Sequence, residues 1–182
     1  MKAVFFDRDG ILVKNINGEA PKRVYDLALI TETIPVILDL QKKSYKTIII
    51  SNQPDMALGN INERVRKGLV KKFEKLLKGA NIPMDIYYCF HHPDGIVEKY
   101  RKICNCRKPK PGMILKAIKK YNIDAKRSYL VGDRATDIKA GNLAGIKTIL
   151  IDPENLERNY LLQYKVKPDF IIKKIDKILN II

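Results

Sequence analysis

Short apolar runs that do not alternate with polar residues, each followed by a helical pattern, constrain this chain most tightly. Ala3–Phe6, Thr47–Ser51, Ile86–Cys89, Tyr129–Val131, Thr148–Ile151 and Phe170–Ile172 read as strands. The first five lack the apolar–polar alternation of a half-exposed sheet, so they are expected to be parallel and covered on both faces. Thr33–Lys43, Asn62–Lys78, Gly112–Tyr121, Thr136–Ala144 and Ile175–Asn180 read as helices. In the second of these, Val65, Leu69, Phe73, Leu76 and Leu77 recur at near-helical spacing, and Gly79 is placed to end it. Alternating strands and helices predict an open α/β sheet, mostly parallel, with right-handed crossovers and helices on both faces. In such sheets ligands bind beyond the carboxyl ends of the strands, near the switch point. Asp7, Ser51 and Asp133 each sit at the end of a predicted strand, so the fold class alone gathers them at one edge. The chain of 182 residues suits a single domain over 1–182, with no repeat or linker to divide it.

Phe5-Phe6-Asp7-Arg8-Asp9-Gly10 sets two carboxylates directly after an apolar run. A carboxylate attacks phosphorus only if its charge does not repel the phosphate. A divalent cation that bridges carboxylate and phosphate oxygens removes that obstacle. Mg²⁺ suits the task, because it accepts few protein carboxylates and keeps water and phosphate oxygens. A second carboxylate two residues on can protonate the leaving oxygen and later deprotonate the attacking water. Gly10 permits a tight turn that brings backbone amides near a phosphate. A calcium loop is excluded, since the twelfth position from Asp7 is Gly18 and not Glu. Ser51 offers a hydroxyl to a phosphate oxygen, Asn52 and Gln53 add orienting amides, and Lys108 is a point charge suited to a phosphoryl group. Asp133, after Tyr129-Leu130-Val131-Gly132, is a candidate Mg²⁺ ligand. Asp137 lies one helical turn on. It either faces the same site in support or is an acid favoured by the helix dipole.

The three cysteines fall in one stretch, Cys89-x-His91 followed after twelve residues by Cys104-x-Cys106. Three thiolates and one imidazole make a closed tetrahedral set for structural Zn²⁺, in keeping with a reducing compartment. His92 is the alternative to His91. The weakly patterned connection Asp94–Ile103 would be fixed by ligands on both sides, giving a zinc-binding loop over 89–106. The net charge of +15 comes from lysines spread along the chain, such as Lys42-Lys43, Lys71-Lys72 and Lys119-Lys120. Such pairs read as solvated helix faces that attract a polyanionic small substrate, and no nucleic-acid partner is expected. No apolar run reaches the ~18 residues of a membrane span, and charged residues interrupt the N-terminal apolar stretch. A cytoplasmic monomer is the expectation.

The order Asp-x-Asp-Gly, Ser-Asn-Gln, Lys-Pro, Gly-Asp-x-x-x-Asp resembles the haloacid dehalogenase (HAD) superfamily of phosphatases. The stretches Cys89-Phe90-His91-His92-Pro93 and Cys104-Asn105-Cys106-Arg107-Lys108-Pro109 look like those of the heptose 1,7-bisphosphate 7-phosphatases, relatives of the histidinol-phosphate phosphatases. The resemblance runs from Met1 to about Ile151. It implies a Rossmann-like fold with a minimal cap, Asp7 as nucleophile and Asp9 as general acid/base. It implies Mg²⁺ held by Asp7, the backbone carbonyl of Asp9, and Asp133. Ser51 and Lys108 would stabilise the phosphoryl group, with Arg107 and Arg134 near the substrate. Zn²⁺ would be held by Cys89, His91, Cys104 and Cys106. The substrate implied is a small phosphorylated sugar, with histidinol phosphate or a nucleic-acid 3′-phosphate as alternatives. Pro54-Asp55, Phe90 and the loop Asn15–Glu19 depart from the heptose pattern.

Overall fold

The computed structural model describes residues 1–182. Its strands are β1 (Ala3–Phe6), β2 (Lys46–Asn52), β3 (Asp85–Cys89), β4 (Tyr129–Gly132), β5 (Lys147–Ile151) and β6 (Phe170–Ile172). Its α-helices are α1 (Thr33–Lys42), α2 (Glu63–Gly79), α3 (Gly112–Tyr121), α4 (Ala135–Ala144) and α5 (Arg158–Tyr164). The strands form one all-parallel sheet in the order β3-β2-β1-β4-β5-β6. Strand β1 is central and entirely buried, with Phe6 opposite Ile49 on one side and Val131 on the other.

Successive β1 side chains feed opposite cores, as the pleat requires. Val4 and Phe6 join Val36, Ile37 and Leu40 of α1 and Leu69, Phe73 and Leu77 of α2. Ala3 and Phe5 join Met113, Ile114 and Ala117 of α3 and Ala140 and Ala144 of α4. A run buried on both faces therefore has no polar positions to alternate, which is the pattern in the sequence. The chain builds outward from β1 through β2 to β3, crosses back, and then builds outward through β4, β5 and β6. The order reverses between β1 and β4, and their carboxyl ends open the crevice that such a reversal leaves. The backbone N–H of Asp7 donates to Val131 O at 2.9 Å, which carries the β1–β4 pairing up to the rim.

The expected sheet and four of the five expected helices are present. Asn62 proves to be the cap of α2, its Oδ1 accepting the Val65 N–H at 3.0 Å. Gly79 is the last residue of that helix, and the reversal falls at Asn81, whose φ is 56°. Ile175–Asn180 is a 3-10 turn in place of a helix; its one buried residue, Ile178, cannot seat a longer amphipathic face. Helix α5 has no counterpart in the sequence reading, and it buries no residue, so no apolar stripe announces it. No helix is long and apolar enough to cross a membrane.

Candidate active site

Three acids and a lysine converge at the rim between β1 and β4. Asp7 directly follows β1, Asp133 directly follows β4, and Asp137 sits in the first turn of α4. Their carboxylate oxygens lie within 4.8 Å of one another. Lys108 is 4 % exposed, and its Nζ lies 2.8 Å from Asp7 Oδ1 and 2.5 Å from Asp137 Oδ1. Burial lowers the Lys108 pKa, but the Asp137 and Asp7 charges more than offset it and hold the ammonium above its ordinary value. Asp137 Oδ2 also accepts the Arg134 N–H at 3.1 Å. Asp137 therefore both ties down the start of α4 and balances Lys108, so the two roles open in the sequence are filled together. Burial, with Lys108 opposing, pushes its pKa up to about 6.

Asp133 is the acid without enough partners. Its Oδ1 is buried and accepts no hydrogen bond. Burial pushes its pKa up to about 8, and the Asp7 and Asp137 charges add to the effect. A divalent cation held by Asp7 and Asp133 answers both observations, because it occupies the orphan oxygen and neutralises the crowded carboxylates. Gly10 makes the crowding possible. Its φ is +81°, and a Cβ there would sit 2.0 Å from Asp133 Oδ2.

Asp9 points away from that group into a polar clamp. Arg8 Nε and Nη2 donate to Asp9 Oδ1 at 3.0 and 2.8 Å, and Gln53 Nε2 donates to Oδ2 at 2.6 Å. Burial raises the Asp9 pKa, with the Arg8 charge as the main opposing effect. Strand β2 runs one residue further than expected, so that Ser51 lies within it and Asn52 ends it. Ser51 is completely buried and its Oγ accepts from Gln53 Nε2 at 3.0 Å. Asn52 reads the Lys108 backbone from both sides: Nδ2 donates to Lys108 O and Oδ1 accepts Lys108 N–H, each at 3.0 Å. Asn52, the last residue of β2, thus fixes the lysine, and Gln53, just beyond it, holds Asp9.

The crevice is a pair of joined lobes. The smaller, about 230 Å³, is lined by Asp7, Asp9 and Lys108 and faced by Glu19, Lys22 and Asp55. The larger, about 530 Å³, is lined by Arg107, Glu157, Tyr160 and Tyr164. Asn52, Lys108 and Arg134 belong to both. Ser51 and Gln53 line neither lobe, so they reach the site through Asp9.

The cysteine cluster lies beside this crevice. Cys106 Sγ is 3.0 Å from Cys89 Sγ, 3.2 Å from Cys104 Sγ and 3.4 Å from His91 Nδ1. Cys89 Sγ is 3.6 Å from Cys104 Sγ and 3.7 Å from His91 Nδ1. Donors at Zn–S and Zn–N bond lengths around a tetrahedral centre are separated by roughly 3.4–3.8 Å. Three of the five separations match that spacing, and Cys106 sits closer to Cys89 and Cys104 than it would around an ion, so three thiols and one imidazole are gathered as a set that could hold Zn²⁺ once Cys106 draws back. His92 takes no part; its Nδ1 accepts the Asp94 N–H at 3.2 Å. The loop that follows Cys106 delivers Arg107 and Lys108 directly to the crevice.

A HAD-hydrolase-like family matches residues 105–178. The D-glycero-alpha-D-manno-heptose-1,7-bisphosphate 7-phosphatase of Photorhabdus laumondii is 41% identical over 147 residues, 80% of this chain and 79% of that protein. The chain belongs to this family of HAD phosphatases. The D-glycero-beta-D-manno-heptose-1,7-bisphosphate 7-phosphatase of Escherichia coli K12 is 35% identical over 80% of this chain and 76% of its own length. The fold matches that of a heptose bisphosphate phosphatase from B. bronchiseptica, solved with magnesium and phosphate, at a TM-score of 0.81 with 23% identity and full coverage of both chains. As a HAD phosphatase, the chain is a phosphoric monoester hydrolase.

Sequence reasoning passed over Arg8, which is 1 % exposed, clamps Asp9 and lies 5.7 Å above the Phe73 ring. The signal was an arginine between two acids inside an apolar stretch, where a solvated side chain has no room. Glu157, Tyr160 and Tyr164 were passed over too, and their segment carries no periodicity that could have flagged them.

Proposed function

We propose that the chain removes the 7-phosphate of D-glycero-D-manno-heptose 1,7-bisphosphate, as its relatives' names describe for them, through a phosphoryl group carried on Asp7. The observation that carries the chemistry is Lys108 Nζ at 2.8 Å from Asp7 Oδ1, in a lobe with one second acid, Asp9, on the same turn. An Asp7 oxygen attacks phosphorus, and the bond from phosphorus to the sugar oxygen breaks. Asp9 gives its proton to that oxygen. Asp9 then takes a proton from the water that attacks the same phosphorus, the bond to Asp7 breaks, and inorganic phosphate leaves. Asp9 Oδ2 is the atom placed to act, once it exchanges Gln53 for the sugar oxygen; Arg8 keeps hold of Oδ1. Lys108 balances charge on the phosphoryl oxygens and Asn52 fixes Lys108. Arg107 and Arg134 hold the remainder of the substrate.

Asp7, Asp133 and the Asp9 backbone carbonyl would hold Mg²⁺, which when bound offsets the repulsion between carboxylate and phosphate. Cys89, His91, Cys104 and Cys106 would hold Zn²⁺ as a closed structural site. On this reading residues 1–182 act as one catalytic domain with the 89–106 loop inserted. It works as a cytoplasmic monomer on a small phosphorylated sugar, without nucleic acid. The relatives include enzymes of both anomers, so the reading names no anomer.

A substrate panel tests this. Heptose bisphosphate should rank first by kcat/KM, histidinol phosphate well behind, and a 3′-phosphorylated DNA last. Arg107→Ala should reduce kcat/KM for the bisphosphate far more than for an aryl phosphate. Histidinol phosphate or DNA in first place would overturn the assignment.

A further inference from the structure

The larger lobe contains none of the four aspartates, its one carboxylate being Glu157, and one wall of it comes from α5, an element outside the chemistry described so far. A ligand with one phosphate against Asp7 and Lys108 can extend past Asn52 and Arg134, which border both lobes. Helix α5 is short but firmly set there. Asp152, buried after the end of β5, accepts the Leu156 N–H at 2.9 Å and the Glu157 N–H at 3.2 Å. Glu157 Oε2 in turn accepts the Ala135 N–H at 2.7 Å, in the residue next to Arg134. The helix is thus fastened both to the strand edge and to the loop that carries Asp133.

Tyr160 and Tyr164 are four residues apart on one face of α5, and both line the lobe. Tyr160 is 54 % exposed, so its ring serves no core. Tyr164 has the Lys139 ammonium 5.4 Å from its ring centre, which backs it from α4. Arg107 and Arg134 add two guanidinium groups to the same space. Ring faces with hydroxyl tips suit a polyhydroxylated carbon skeleton, and guanidinium forks suit a phosphate. We infer that α5 is a specificity wall: Tyr160 and Tyr164 hold the sugar of a bisphosphate whose second phosphate meets Arg107 and Arg134. The inference rests on the phosphosugar reading above and names the residues that would enforce it.

The test is the ratio of kcat/KM for the best phosphosugar in the panel to that for an aryl phosphate too small to reach the lobe. Removing one ring by Tyr160→Ala or Tyr164→Ala should lower that ratio by roughly tenfold, chiefly through KM. Tyr160→Phe and Tyr164→Phe should recover most of the loss if the ring face is what binds. Thermal unfolding of each variant reports folding separately. An unchanged ratio in the folded Tyr160→Ala, Tyr164→Ala double variant would overturn the inference. If the unaltered enzyme prefers a phosphosugar other than heptose bisphosphate, the substrate assignment falls, while the wall is still judged by the ratio for that preferred sugar.

Discussion

Gly10→Ala separates backbone strain from damage to the acid cluster, because the structure supplies a matched control. Gly10 has φ +81° and Gly145, at the far end of α4, has φ +71°. An alanine at either position must adopt the left-handed conformation, at about 1–2 kcal/mol. That loss corresponds to a fall in Tm of about 2–8 °C for a chain of this size. The surroundings differ. An added Cβ at Gly145 meets nothing within 4 Å, whereas at Gly10 it would lie 2.0 Å from Asp133 Oδ2 and 2.8 Å from Asp133 Cγ. To reach ordinary contact the carboxylate must recede by more than about 1 Å. A misplacement of that size in a group that positions the reaction lowers the rate by roughly 10²-fold. Both variants should therefore lose the stability that the strained backbone costs, measured by urea unfolding, with Gly10→Ala losing at least as much as Gly145→Ala, while only Gly10→Ala loses kcat and needs much more Mg²⁺ for half-maximal activity. A Gly10→Ala protein within about threefold of Gly145→Ala in kcat, at the same Mg²⁺ requirement, would refute the placement of Asp133 in the metal site.

Three further outcomes are expected. Asp7→Asn should abolish turnover with the fold intact, and Asp9→Asn should lower kcat by about 10²–10⁴-fold through lost proton transfer; near-wild-type turnover by folded Asp7→Asn protein would contradict the mechanism. Zinc should co-purify at about one ion per chain, and Cys106→Ser should expose the 90–105 loop to protease and weaken activity by loosening Arg107 and Lys108. Elemental analysis without zinc, on protein never exposed to chelator, would rule the site out. Asp137→Ala leaves the buried Lys108 with one carboxylate where it had two, so unfolding free energy should fall by about 1–3 kcal/mol, less than for a buried charge left with no partner. A loss under about 0.5 kcal/mol, the range of an ordinary surface substitution, would mean the pair is not what holds Lys108.

How far the sequence was legible follows from which interactions are local. Ala3–Phe6 and Thr148–Ile151 could be read because burial on both faces leaves a mark in every residue of the strand. Asp7 and Asp133 could be placed at one edge because parallel topology forces all strand ends to the same side. Arg8 could not be placed, because its role depends on Asp9 turning toward it and Phe73 of α2 lying beneath it. The choice between His91 and His92 was open for the same kind of reason. The two are adjacent, and only the path of the loop decides that His91 Nδ1 meets Cys106 while His92 turns to Asp94. Ser51 and Asn52 shared one motif, yet the pleat of β2 sends Ser51 inward to Gln53 and Asn52 outward to Lys108. Helix α5 left no pattern, since it is held by Asp152 and Glu157 and not by an apolar face.

The charge distribution makes sense only when the site and the whole chain are considered together. The protein carries a net charge of +15, but the group at its crevice is acidic: Asp7 and Asp9 line the smaller lobe with Lys108 and Arg134, and Asp133 and Asp137 crowd behind Asp7. A polyanionic substrate is drawn in by the long-range basic field and then meets carboxylates at short range, where repulsion falls off least. Each acid but one is already matched. Asp9 has Arg8, Asp7 has Lys108, and Asp137 has Lys108 and the Arg134 amide. The mismatch is concentrated on Asp133, whose Oδ1 has no partner and whose pKa is pushed to about 8 by burial. A single divalent cation there would reverse the local sign of the crevice while the Asp137–Lys108 pair and the Arg8 and Gln53 contacts of Asp9 stay in place. Mg²⁺ dependence is thus built into the charge balance of the fold, since without that cation the same carboxylates that perform the reaction would exclude the phosphate.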